Sequence, residues 1–259
     1  MNSDPTRPRL GLGYKQDAPD PRDHVYGKTG AALGPSILRD ADVTSYILGI
    51  KNQAGTSSCF GQAVSACLET YYGVRGNPVK VSALWIYTCA REAEKPGYRG
   101  PLDDGGAFPR IGIEAIKARG LLQEKSMPFS EAAVDVRPSP QQAVLAFDAK
   151  GLVYYQIEAL GEDRCEQVAD ALRRGYGVCF GMDVSSAYQR NEGDPVDEMG
   201  RSIGGHMQAI VKVDDEYVYV QNSWGTEWAE RGIVRFTRRF FGEAFITTLL
   251  VIREIPNAE

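Results

Sequence analysis

Histidine is scarce: two occur in 259 residues, His24 and His206. A thiol or hydroxyl nucleophile that needs an imidazole base has only those two to choose from. The five cysteines, Cys59, Cys67, Cys89, Cys165 and Cys179, are odd in number and nowhere in CxxC spacing. That argues against a disulfide framework and a zinc site, and free thiols fit a reducing compartment. No apolar run approaches the roughly 18 residues of a membrane span, and the opening MNSDPTRPRLGLGYKQ lacks the apolar core of a signal peptide. The expectation is a cytoplasmic protein, or an effector exported by another route. Lysine and arginine do not cluster and the formal net charge is -5. Neither nucleic acid nor an anionic membrane is therefore an expected partner. Asp103 and Asp104 lack the further spaced acidic ligands that calcium requires and read as solvated loop carboxylates. No metal and no cofactor is expected.

With 43% hydrophobic and 24% charged residues, the chain can bury a large core in one domain or two lobes. Residues 1–45 are rich in Pro, Gly, Asp and Arg and read as an extended lead lying on the surface, with His24 in a turn. From Ser57 the apolar residues Phe60, Ala63, Val64, Cys67, Leu68 and Tyr71 fall at helical spacing, with one face buried and Gly73 as the C-cap. VSALWIYTCAREAEK and FPRIGIEAIKARG read as two more helices, the second closing on Gly120. After residue 150 come strand-like runs, LVYYQIEAL, YGVCFGMDV, HMQAIVKV, EYVYVQN, GIVRFT and ITTLLVI, with one helix, CEQVADALRRG, among them. Helices first and strands second predict an α+β protein of two lobes, about 46–145 and about 146–259, with a cleft between them.

His206 opens a strand that is followed by a second one ending at Asn222. If the pair is a hairpin turning at Asp214 and Asp215 with Lys212 facing Glu216, then Ile210 faces Val218, Gln208 faces Val220 and His206 faces Asn222. A slip of one residue would put His206 and Asn222 on opposite faces. An amide there can fix the tautomer and orientation of an imidazole, and Trp224 can shield that bond from water. Cys59 begins a helix, where the dipole and a nearby imidazolium would lower its thiol pKa. Gln53, six residues upstream, can donate its amide beside the Cys59 N–H, giving the two donors of an oxyanion hole.

These segments resemble the papain-like cysteine peptidases. NQAGTSSCFGQAVSACLE is similar to that family's Gln-to-Cys segment, GGHMQAIVKV to its histidine strand and VQNSWGTEWAERGIVRF to its Asn-Ser-Trp-Gly segment. The 147 residues from Cys59 to His206 fall within the roughly 130 to 150 typical of the family. The lead GLGYKQDAPDPRDHVYG resembles the short one of bacterial and phage members. The resemblance implies the two-lobed papain fold, a helical lobe facing an antiparallel sheet or barrel. It implies Cys59 as nucleophile, His206 as general base and acid, Asn222 as its orienter and Gln53 in the oxyanion hole. Gly105 and Gly106 in LDDGGAF would bond substrate backbone, Gly205 would bind substrate, and Met207 beside His206 would contribute to the pocket for the substrate side chain one residue before the scissile one. Trp224 would support the site, and small Ser58 would let substrate approach the helix end.

Three departures stand out. Thr56 replaces the family's usual disulfide cysteine, Phe60 its usual tryptophan and Ser57 the glycine before the nucleophile. A lead of at most 45 residues predicts no long inhibitory pro-segment, though it could cross the cleft. The expected function is a cysteine endopeptidase acting on peptide or protein substrates. The alternatives are an acyltransferase with an amine acceptor and a silent binding protein, and the oligomeric state is left open.

Overall fold

The computed structural model describes residues 10–28, 34–243 and 246–254. Residues 1–9 and 29–33 of the expected lead lie outside the described residues.

Three helices lead the chain: α1 (Cys59–Val74), α2 (Ala83–Glu94) and α3 (Pro109–Arg119). A short α4 (Pro140–Val144) and then α5 (Gly161–Arg173) follow. Helix α1 is buried on every side from Cys59 to Tyr71, not along one face as the periodicity predicts. It is packed between α2 and the sheet, so its polar residues Gln62, Ser65 and Glu69 are enclosed as well. Gly61 permits the approach of α2, since a Cβ there would lie 2.3 Å from the Ala83 carbonyl oxygen. Gly73 does not cap α1. It lies in the last turn, the helix closes at Arg75, and Gly76 takes the left-handed conformation instead, at φ +78. Gly120 does close α3, at φ +85, and its carbonyl accepts the indole N–H of buried Trp85.

The strands are β1 (Leu152–Gln156), β2 (Gly177–Ser185), β3 (Ser202–Val213), β4 (Tyr217–Gln221), β5 (Ile233–Thr237) and β6 (Ile246–Glu254). They form one antiparallel sheet in the order β1-β6-β2-β3-β4-β5. Both faces are covered, which explains why the central strands read as near-continuous apolar runs. Cys179, Met207, Ala209 and Leu250 share a core with α1, whereas Val178, Phe180 and Val251 share one with α5. The α+β class and the papain-like arrangement of helices against an antiparallel sheet are those the sequence predicts.

The register of the β3–β4 hairpin differs from the expected one. Ile210 faces Val220 and Ala209 faces Gln221, two residues from the predicted pairing, and a bulge between Ile210 and Lys212 shifts the pairs nearer the turn. Lys212 accordingly does not meet Glu216; its ammonium lies 3.7 Å from both Asp42 and Asp214. The turn is held by the Asp214 carboxylate, which accepts the N–H groups of Glu216 and Tyr217. A slip of two residues preserves parity, so His206 and Asn222 still share a face.

Candidate active site

Ser223 and Gln53 make the floor of the site. The Gln53 N–H donates to the Ser223 carbonyl at 2.8 Å, and the Ser223 hydroxyl donates to Gln53 Oε1 at 2.6 Å. The Thr56 carbonyl, which can only accept, fixes which end of the amide is nitrogen. Nε2 gives one hydrogen to the Thr56 carbonyl at 2.6 Å and keeps its other. Thr56 is buried, and its hydroxyl bonds the Gln53 carbonyl at 2.7 Å and the Ser58 hydroxyl at 2.8 Å. Hydrogen bonds thus hold the turn where relatives use a disulfide. Ser58 points into this network and is buried, as Cys59 and His206 are.

His206 and Asn222 meet: Nε2 and Oδ1 are 2.7 Å apart. The Trp224 indole stacks on the imidazole, centroids 4.4 Å apart at 17°. The β3–β4 pairing ends at Ala209 and Gln221, and Trp224 bridges Asn52, so Asn222 is not a cross-strand partner of His206 and reaches the ring through its side chain. Nδ1 of His206 is buried without a partner. The Cys59 thiol lies against the main chain of Met207, the residue after His206, whose N–H is among the groups that stabilise its thiolate.

Burial nevertheless dominates both titrations. It pushes the Cys59 thiol up to about 12 against the pull of the Met207, Phe60 and Cys59 N–H groups. It also takes the His206 imidazole down to about 4, against the pull of Asn222. The expected lowering of the thiol pKa at the helix terminus does not hold in this state, because both groups are shut off from water.

The lead covers them. Gly11 N–H donates to the Ala54 carbonyl at 2.9 Å, and the Gly11 carbonyl accepts the Trp224 indole N–H at 3.0 Å. The N–H groups of Gly13 and Tyr14 both reach the Gly205 carbonyl, at 3.0 and 3.1 Å. Ala107 N–H donates to the Gly13 carbonyl at 2.9 Å, and Lys15 N–H to the Ala107 carbonyl at 3.1 Å. The approach is so close that a Cβ on Gly13 would lie 2.1 Å from the Ser57 carbonyl oxygen, and one on Gly11 2.9 Å from Gln53 Nε2. Beyond the groove, Arg110 anchors the lead through Asp23 at 2.6 Å, and its N–H donates to Asp17 at 2.9 Å.

Gly106 borders this strand at φ +84, where a Cβ would lie 2.2 Å from the Gly13 carbonyl oxygen. Gly105 is not part of the contact, because its N–H turns back to the Asp103 carbonyl. Met207 is fully buried beneath the groove. Sequence reasoning overlooks Asp104. Its carboxylate is not merely solvated: it accepts the Ser57 N–H at 3.0 Å and the Tyr87 hydroxyl at 2.7 Å. Tyr87 in turn accepts the Gly106 N–H at 3.0 Å, tying the glycine loop to the start of α1. Sequence reasoning also overlooks Tyr14, whose only signal is an aromatic residue directly after a glycine in GLGYKQ. His24 is exposed in its turn.

No group of three His, Cys, Asp or Glu among the described residues could hold a metal, and no described helix is long and apolar enough to cross a membrane.

Residues 38–252 match the model of the papain family cysteine proteases. An uncharacterized peptidase C1-like protein of Acanthamoeba polyphaga mimivirus is 26% identical, over 95% of this chain and 88% of that protein. A cathepsin L-like proteinase of Fasciola hepatica is 25% identical over 82% of this chain and 64% of its own length. The crystal structure of xylellain, a cysteine protease from Xylella fastidiosa, superposes with a TM-score of 0.74 at 22% identity, covering 96% of this chain and 98% of that one, which shows the fold. With five-sixths of its length matched to the family, this chain belongs to the papain family of cysteine proteases.

Proposed function

We propose that the chain is a cysteine endopeptidase that is latent while residues 10–15 lie in its groove. The observation that carries this reading is the imidazole of His206, bonded to Asn222 through Nε2 with Nδ1 left unpartnered, one residue before Met207, whose main-chain N–H reaches the Cys59 thiol. Once the lead leaves and water enters, the penalty on charge falls, and Nδ1 takes the Cys59 proton. The thiolate attacks the peptide carbonyl carbon. The carbonyl oxygen gains the electron pair and is held by the Cys59 N–H and the free hydrogen of Gln53 Nε2. His206 then gives the proton to the leaving amine, the thioester forms, and water activated by the same imidazole releases the acid.

The Gly205 carbonyl and the Ala107 main chain, which bond the lead, would bond substrate backbone in the same way, with Gly106 allowing the approach. A domain division at about residue 45 follows from this reading, the lead before it and the catalytic domain, 46–259, after it. A cytoplasmic setting is supported by the five free cysteines and by the hydrogen-bonded Thr56 turn. The test is digestion of a diverse peptide library by the wild type and by Cys59→Ala, read by mass spectrometry. Cleavage that survives in Cys59→Ala would sink the proposal.

A further inference from the structure

Tyr14 occupies a shaped pocket beside the groove. Its ring lies on Gly181, where a Cβ would come within 2.4 Å of the ring carbons, and against Gly205, where a Cβ would lie 3.0 Å from Cδ1. The missing side chain at Gly181 makes a flat slot. The end of the slot is polar: the phenol oxygen is 3.0 Å from Thr247 Oγ1 and 2.5 Å from Thr248 Oγ1.

The directions of these bonds follow from the donors. Thr247 gives its hydrogen to the Gly181 carbonyl at 3.2 Å, so its oxygen is left to accept from the phenol. Thr248 then donates to the phenol oxygen. Thr248 is buried, so a ring without a hydroxyl would leave its donor unpaired inside the protein. A slot that matches both the flat ring and its hydroxyl discriminates against Phe and Leu.

We propose that this pocket selects substrates carrying a tyrosyl side chain, through the Gly181 slot and the Thr247 and Thr248 hydroxyls. The inference rests on the peptidase reading above. Gly13 N–H bonds Gly205, the residue before His206, and Tyr14 is the next residue along. The tyrosine is accordingly assigned to the second residue before the cleaved bond, adjacent to the acylated one. The lead holds the groove closed by presenting the same side chain that a substrate must present to displace it.

Peptides differing only in Tyr, Phe or Leu at that residue are assayed with the full-length chain and with Thr248→Val. The lead blocks all peptides alike, so it cancels in the ratios. The Tyr peptide is expected to exceed the Phe peptide roughly 10-fold in kcat/KM, the size of one net hydrogen bond. In Thr248→Val the ratio falls several-fold, because the Tyr peptide loses one of its two hydroxyl partners and the Phe peptide no longer strands the Thr248 donor. Phe or Leu peptides cleaved as fast as the Tyr peptide by the wild type overturn the proposal.

A second measurement needs no turnover. Iodoacetamide labelling of Cys59, located by peptide mapping, reports how tightly the lead is held. Tyr14→Phe is expected to speed labelling roughly 10-fold in the wild-type background and several-fold less in Thr248→Val, where only the Thr247 bond is left to lose. Equal rates for Tyr14→Phe and wild type overturn the pocket assignment. If no peptide of any kind is cleaved, even by Gly13→Ala, in which the lead cannot seat, the peptidase reading fails, and the labelling ratio decides the pocket alone.

Discussion

The Asn222 oxygen that lies 2.7 Å from Nε2 of His206 also accepts the main-chain N–H of Ser223, at 2.6 Å. A main-chain N–H can only donate, so that atom is oxygen, and Nε2 must carry the ring proton. Nδ1 therefore keeps its lone pair, the state a general base needs. Asn222→Ala removes this assignment and is expected to lower kcat/KM by about 10²-fold, within the usual worth of a positioned acid–base group. Asn222→Asp keeps an acceptor for both N–H groups and adds a charge. It is expected to retain more activity than Asn222→Ala and to raise the imidazole pKa, moving the acid limb of the pH–rate profile upward. Profiles of kcat/KM against pH for the two variants check this.

Gly13 is the closest point between the lead and the start of α1. Its φ of +154 and the 2.1 Å gap from a notional Cβ to the Ser57 carbonyl oxygen exclude any side chain while the lead is seated. Gly13→Ala should therefore expel the lead, and Tyr14 with it, from the groove while α1 and the sheet stay packed. The expected outcome is labelling of Cys59 at least about 10-fold faster than in the wild type, as a loss of more than 1.4 kcal/mol in seating would give. The thermal midpoint should change little. Unchanged labelling would mean that the lead does not control access.

The seated lead also gives the protein a pH dependence with a defined sign. Burial holds the His206 imidazole at about 4, below its ordinary 6.5, so the closed state binds fewer protons than an open or unfolded one between those values. The stabilisation is complete above pH 6.5 and is lost as pH falls through about 4, to an extent of roughly 3 kcal/mol. On the alkaline side, the Cys59 thiol, raised from 9.0 to about 12, contributes stability below 9 that is lost as pH rises toward 12. Hydrogen exchange at Gly13, Tyr14 and Ala107, corrected for intrinsic rates, should accelerate as pH falls from 6.5 to 4. That acceleration should vanish in His206→Gln.

Much of this site was legible because the relevant chemistry is rare in the chain: with two histidines and one NSWG string, Cys59, His206, Asn222 and Gln53 could be singled out and do converge on one region. The hairpin register was not legible, because the bulge after Ile210 has no mark in the sequence; only its parity came through, and parity is what sets the face. Gly73 misleads as a helix cap because a second glycine three residues on, Gly76, takes the left-handed turn instead. The Cys59 pKa was misjudged because it depends on burial under Gly11, Gly13 and Tyr14, a contact between residues more than forty positions apart. Asp104 and Tyr87 act through their placement, and nothing in LDDGGAF distinguishes a tethering carboxylate from a solvated one.

Thr56 offers the clearest test of how the oxyanion side is held. Its hydroxyl bonds the Gln53 carbonyl and the Ser58 hydroxyl, its N–H also donates to Gln53, and its carbonyl takes one hydrogen of the Gln53 amide. Thr56→Val conserves shape and the two main-chain bonds but removes the hydroxyl, leaving the buried Gln53 carbonyl with the Thr56 N–H alone and Ser58 with only the longer bond from Gln62. The expected cost is about 1 to 3 kcal/mol by urea unfolding. Gln53 itself remains held by Ser223, so kcat should fall far less than the 10² to 10³-fold expected of Gln53→Ala, which removes an oxyanion donor. A Thr56→Val protein as stable as the wild type would mean that the hydroxyl network does not replace the disulfide of relatives. A kcat loss equal to that of Gln53→Ala would mean that the turn, not Ser223, orients the amide.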